Sequence, residues 1–287
     1  MLAANPAVFA AVAALFGLAI GSFLNVVIHR LPLMLERQWR AQCAEITNHP
    51  AAPEGEPISL VRPRSRFPSC GAQIRALHNI PVLSYLALHG RCASCSAPIS
   101  LRYPLVELAT AIVSGAVAWH FGFGWQAAFA LIFSWYLIAM AGIDVDRQLL
   151  PDVLTLPLLW IGLLASLWPA AGFASPRDAL IGAAAGYLIL WAVFHLFRLV
   201  TGKEGMGYGD FKLLAAIGAW LGWQLLPLVL LLAAVVGTAV GVTLIVMRRH
   251  GRNVPIPFGP YLAGAGWIAM LWGPLIVERY LGVAGLR

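Results

Sequence analysis

The stretch KEGMGYGDFKLL, Lys203 to Leu214, sets glycines, charges and one acid directly before an apolar run. Asp210 follows Gly207-Tyr208-Gly209, and beyond it the chain is apolar as far as Trp223 apart from Lys212. An acid at the mouth of an apolar helix has two readings. One is a helix cap, because Asp before an apolar run satisfies free backbone N–H groups. The other is a carboxylate held in place for chemistry. The two glycines favour the second, since glycine permits positive φ and close backbone approach.

Around this stretch the chain is greasy. Of its 287 residues 60% are apolar and only 11% charged, with a mean hydropathy of +0.80. Soluble domains are roughly 45–50% apolar and about 25% charged. The expected fold class is therefore an all-α polytopic membrane protein. A spanning helix needs about 20 mostly apolar residues. Such runs occur at Val8–Ile28, Pro104–Phe121, Trp125–Ile143, Val153–Pro169, Ala179–Leu199, Phe211–Trp223, Leu225–Met247 and Pro260–Val277. They predict about eight transmembrane helices, with Phe211–Trp223 short for a span. No basic segment precedes the first run, which reads as a retained helix and not as a cleaved signal peptide.

Three regions follow: a first transmembrane helix (1–28), a polar insertion (29–103) and a seven-helix bundle (104–287). Sixteen of the nineteen basic residues fall on one side if the insertion is cytoplasmic, leaving Arg177, Arg279 and Arg287 opposite. Basic residues collect in cytoplasmic loops, so the insertion is placed inside and both termini outside. The net charge of +7 is then a membrane feature and not a sign of nucleic-acid binding.

This topology brings Asp144, at the inner end of the third helix, to the same membrane face as Asp210. Two carboxyl groups held close together in a site of low dielectric share one proton. The ionised partner can take a proton from water while the neutral one donates to a peptide carbonyl. That chemistry needs no cofactor. A proton relay in a coupled transporter is the alternative use of paired intramembrane acids. Transport sites, however, usually lie near the midplane. Asp152, after Pro151, reads as a helix-start residue. Asn25 and Glu107 read as interhelical hydrogen-bonding groups, and Lys212 as a side chain that snorkels to the interface. Trp125, Trp168 and Trp223 read as an interfacial belt.

GMGYGDFK at Gly205–Lys212 contains the GxGD signature of intramembrane aspartic proteases. IDVDRQLLPDVLTLPLLW at Ile143–Trp160 resembles the first acid region of the type IV prepilin peptidases. GSFLNVVIHRLP at Gly21–Pro32, YPLVELATA at Tyr103–Ala111 and PIPFGPYLA at Pro255–Ala263 are similar to further motifs of that family, in its order. The resemblance implies an endopeptidase of the bacterial inner membrane. It would cut the basic leader from prepilins and pseudopilins at the cytoplasmic face. It also implies N-methylation of the new N-terminus with S-adenosylmethionine. By motif position it assigns Asp144 and Asp210 as catalytic acids, Gly207 and Gly209 as the active-site loop, and no catalytic role to Asp146.

All four cysteines, Cys43, Cys70, Cys92 and Cys95, lie in the polar insertion. In a cytoplasmic setting they are thiols or metal ligands. Cys92 and Cys95 form a CxxC pair. The family often carries a second pair upstream, but here Phe67 stands at its first position and Cys70 is left alone. Cys70, Cys92 and Cys95 are the candidate zinc ligands, with His78 or Cys43 as options for a fourth. A knuckle that folds without metal is the other reading. No glycine-rich strand–turn–helix loop marks a site for S-adenosylmethionine.

Overall fold

The computed structural model describes residues 2–48, 58–63, 70–71, 73, 81–203, 205–247 and 256–285. Phe67, His78, Arg248, Arg249, Arg252 and Pro255 lie outside the described residues. Among those described there is no strand, only one isolated bridge between Arg91 and Pro98. The chain divides into two compact units, Met1–Trp119 and His120–Arg287.

The first unit opens with helix α1, Pro6–Thr47. The Asn5 side chain accepts hydrogen bonds from the N–H groups of Ala7 and Val8, and Pro6 supplies a preset φ at the first position. The first helix does not stop near Ile28, as hydropathy predicted, but runs on through Pro32 into the polar region. The reason is propensity: Leu33–Ala44 is rich in Leu, Met, Glu, Arg, Gln and Ala and has no glycine or proline. The region 29–103 is therefore partly the continuation of α1. At about 1.5 Å per residue, this 42-residue helix is roughly twice as long as a hydrocarbon core of about 30 Å is thick.

A short helix, α2 (Leu83–Ala87), and then α3 (Arg102–Phe121) follow. Gly17 and Gly21 of α1 lie against Ser114, Thr110 and Glu107 of α3, so closely that an added Cβ would collide. Small residues four apart are what lets two membrane helices meet at backbone distance. The Asn25 amide donates to the Tyr103 carbonyl at 3.0 Å, as an interhelical role predicts. Glu107 is bonded across the pair to Ser22, and it also accepts the N–H of Val82 at 2.8 Å, which ties it to the insertion.

The second unit holds α4 (Trp125–Arg147), α5 (Asp152–Ser166), α6 (Pro176–Thr201), α7 (Tyr208–Leu221), α8 (Leu226–Val246) and α9 (Gly259–Val283). Eight apolar helices thus appear in the predicted order across the two units, six of them long enough to cross a membrane. Helices α5 and α7, with 15 and 14 residues, are the short ones. Helix α7 is the core of this unit: every residue from Asp210 to Leu221 is buried except Lys212. It packs against α5, α6, α8 and α9. Gly182 and Gly186 of α6 meet the backbone of α7 at Gly218 and Leu214. On the α5 side, Trp220 lies flat on Gly162 and donates its indole N–H to the Leu158 carbonyl at 2.8 Å. Phe133 stacks on the same ring. The Trp125 and Trp168 rings meet at a 40° tilt, with centroids 4.8 Å apart, while Trp223 donates to Asp178 beside the start of α6.

Candidate active site

Helix α4 ends because Gln148 turns to left-handed φ and returns its N–H to the Asp144 carbonyl at 2.9 Å. Asp144 therefore sits in the last turn, 5% exposed. Pro151 then sets the chain in extended conformation and α5 begins at Asp152. The connector between the two helices is short, and Leu150 within it is buried.

Helix α7 begins differently from the capping expectation. Gly207 is the N-cap, and Asp210 is the third helical residue with its side chain buried to 7% exposure. Asp210 is not the N-cap, though its carboxyl accepts a hydrogen bond from the Gly207 backbone N–H. Its Oδ1 is buried without a hydrogen-bond partner. The Asp144 carboxyl acts on it electrostatically. The acids expected to meet are thus brought together, one from the end of α4 and one from the start of α7.

The glycines meet one half of the expectation, close approach, and not the other, positive φ. Neither Gly207 nor Gly209 has positive φ, and Gly207 is extended. A Cβ on Gly209 would stand 2.6 Å from the Leu150 Cβ, so Gly209 is required for close approach to the α4–α5 connector. Gly207 has open space around it.

A third participant carries no side chain. The N–H of Gly259, the first residue of α9, donates to Asp144 Oδ2 at 3.0 Å. The first N–H groups of a helix lack intrahelical partners and favour negative charge. Helix α9 thus spends one such donor on the acid. A Cβ at Gly259 would lie 2.6 Å from the same oxygen and 3.2 Å from Leu150 Cδ1. Leu150 is wedged between the starts of α7 and α9. In the sequence Gly259 is visible only as part of PIPFGPYLA, just before Pro260 at the start of an apolar run, and no role is read for it. Lys212 was also misread. Its ammonium is bound to both oxygens of Asp152, at 2.6 and 2.8 Å.

In the first unit, Cys92 and Cys95 stand in a knuckle closed by Cys92 N–H to the Ala97 carbonyl and Ser96 N–H to the Cys92 carbonyl, both at 2.9 Å. The sulfurs of Cys70, Cys92 and Cys95 all lie within 4.8 Å of one another, with Cys70 and Cys92 at 3.8 Å. Tetrahedral zinc with Zn–S bonds of about 2.3 Å separates its sulfurs by about 3.8 Å. Burial disfavours the Cys92 thiolate, but the N–H groups of Ser94 and Cys95 and the adjoining thiols outweigh it and hold this thiol below its usual range. The donor set fits three of zinc's four positions. Cys43, exposed near the end of α1, is not part of the group.

Comparison with known proteins adds a separate line of evidence. Residues 15–121 match the family described as "Bacterial Peptidase A24 N-terminal domain". Residues 131–242 match the "Type IV leader peptidase family". The chain is 58% identical over 285 residues to a "Prepilin leader peptidase/N-methyltransferase" of Stutzerimonas stutzeri, covering 99% of this chain and 98% of that protein. A protein of the same name from Pseudomonas aeruginosa is 58% identical over 286 residues, 100% of this chain and 98% of its own. One from Legionella pneumophila is 47% identical over 271 residues, 94% of each. No solved structure matches the chain.

Proposed function

The chain belongs to the type IV leader peptidase family, and from that premise we propose that Asp144 and Asp210 are the catalytic acids of an intramembrane aspartic endopeptidase. The enzyme cleaves the leader from prepilins and N-methylates the new N-terminus, the two activities named for its relatives. A transporter reading finds no support among them. The observation that carries the catalytic assignment is the arrangement of the two buried carboxyls. One is held by the Gly259 N–H, and the other presents an oxygen that no protein group satisfies.

An unsatisfied buried polar atom is costly and is kept where function needs it. A water between the acids, or the scissile carbonyl, gives Asp210 Oδ1 its missing partner. A backbone N–H supports negative charge on Asp144, which suits it to take the proton from that water. Asp210 then donates its proton to the carbonyl. In the breakdown of the tetrahedral intermediate Asp144 passes the proton it took from water to the leaving amine, and Asp210 recovers one from the intermediate's hydroxyl as the C–N bond breaks. The expected ligand is the leader junction of a prepilin or pseudopilin. Its apolar helix stays in the bilayer beside membrane lipid. The reading sets the active site at the cytoplasmic face of the bacterial inner membrane; the bias of basic residues toward the side of the insertion supports that orientation.

S-adenosylmethionine is the methyl donor that the second activity calls for. Incubating a prepilin peptide with the purified enzyme, with and without S-adenosylmethionine, separates the two steps by mass. Loss of the leader in both samples and about 14 Da added only with the donor is the expected result. An intact peptide in both would overturn the reading.

Zinc is the metal the three thiols would hold, and its contribution would be to cross-link Cys70 to the knuckle. Elemental analysis of the full-length protein is expected to find about one zinc per chain, lost in Cys92→Ser. Equal zinc in both proteins would exclude the site. Gly259→Ala tests the α9 contribution. Its Cβ would push Asp144 away from Asp210, and cleavage is expected to slow about 10- to 100-fold at unchanged substrate KM.

A further inference from the structure

The eight-residue step from Asp144 to Asp152 touches the first turn of α7 at three points. Asp144 acts on Asp210, Leu150 lies on Gly209, and Asp152 binds Lys212. Residues two apart on a helix point about 200° from each other. Asp210 and Lys212 therefore leave α7 on opposite sides, one toward α4 and one toward the start of α5. The turn is gripped from both flanks by a single connector.

A surface ion pair adds little to stability. This one is partly exposed, with 29% of the Lys212 side chain and 55% of the Asp152 side chain open. Both carboxylate oxygens are engaged, which fixes direction as well as distance. Sixty residues separate the partners, so the contact serves no local helix. It joins α5 to the one helix whose rotation decides where Asp210 points.

Resting on the catalytic reading above, we infer that Asp152 and Lys212 are positioning residues. Their ion pair sets the rotation of α7 and so aims Asp210 at Asp144. Neither touches the reacting atoms. Misplacing a catalytic group by about 1 Å can cost about 100-fold in rate. The pair's effect therefore belongs in kcat.

The test compares Lys212→Met, Asp152→Asn, Lys212→Arg and the swapped double variant Asp152→Lys with Lys212→Asp. Each is assayed for prepilin cleavage, for methylation of a mature-length peptide, and for thermal midpoint in detergent. The two single neutralising variants are expected to lose about 10- to 100-fold in kcat for cleavage, with KM, methylation and midpoint unchanged. Lys212→Arg keeps the charge and can span both Asp152 oxygens with its planar fork, so it is expected to retain most of the rate, and the swapped pair restores most of the lost rate. Wild-type kcat in Lys212→Met overturns the inference. So does a loss that appears in KM, which would mean that Asp152 binds the basic leader. A fall in midpoint with a parallel fall in methylation also overturns it. If Asp144→Asn and Asp210→Asn still cut, the catalytic reading fails. If those two are dead and Lys212→Met is normal, only the positioning role fails.

Discussion

Asp144→Asn and Asp210→Asn are each expected to reduce leader cleavage by about 1,000-fold or more while leaving a folded, membrane-inserted enzyme. Asparagine matches aspartate in size. At 144 its carbonyl oxygen can still accept the Gly259 N–H, so α9 keeps its seat. What it lacks is the proton exchange on which the chemistry depends. At 210 the substitution also removes the mutual repulsion of two buried carboxyls, because an amide carries no charge beside Asp144. Like charges held together away from water cost folding energy. Asp210→Asn is accordingly expected to raise the thermal midpoint as it removes activity, the exchange of stability for function common at active sites. Cleavage followed by mass spectrometry, alongside methylation of a mature-length peptide as the control for folding, checks both halves. Cutting at even a tenth of the normal rate in either variant would remove that acid from the mechanism.

Gly182→Val is expected to have the largest effect on the fold. A Cβ at Gly182 would stand 2.2 Å from the Gly218 carbonyl oxygen. The obstacle is backbone, so no side chain can rotate away. Gly186, one turn along α6, is as confined, with Leu214 O 2.5 Å from its virtual Cβ. Helices α6 and α7 must separate, and overpacking a tight contact costs about 1–3 kcal/mol or more. Separation also drags the first turn of α7 away from Asp144. Both the thermal midpoint and cleavage should collapse. Gly264→Ala is the matched control, because nothing lies within 4 Å of its virtual Cβ. A midpoint for Gly182→Val equal to that of the control would show that α6 and α7 are not so closely packed.

Features that depend on length and hydrophobicity were readable from the sequence. Runs of twenty apolar residues can do little except cross a bilayer, and apart from the end of α1 the eight helices lie close to their expected bounds. Where α1 ends was not readable, because hydropathy reports the edge of lipid and not the edge of a helix. Arg37, Arg40 and Glu45 are unwelcome in lipid yet favourable in a helix. Asp144 and Asp210 could be paired on topology alone, since both fall at the inner ends of predicted spans. The contacts that hold them could not. Gly259 contributes an N–H, which every residue but proline has, so no side-chain type announces it. Asp152 and Lys212 are far apart in sequence, and each has an ordinary local explanation. Of the two reasons for singling out Gly209, close approach holds and positive φ does not: it is needed for its missing side chain beside Leu150 and not for its backbone angles. For the thiols, all three candidates were named from the sequence, Cys92 and Cys95 by their CxxC spacing and Cys70 beside the resemblance, and the fold brings their sulfurs together.

The shortness of α7 bears on how the protein is made. Fourteen residues extend about 21 Å, less than a hydrocarbon core of about 30 Å, and Asp210 and Lys212 stand in the opening turn. Such a segment is a poor substrate for the insertion machinery alone and gains its place when its neighbours enclose it. One of those neighbours, α9, leaves the ribosome after all the others, and with it the N–H that holds Asp144. A nascent chain stopped before Phe258 is therefore expected to insert yet cut nothing, which spares other membrane proteins from a half-built protease during synthesis.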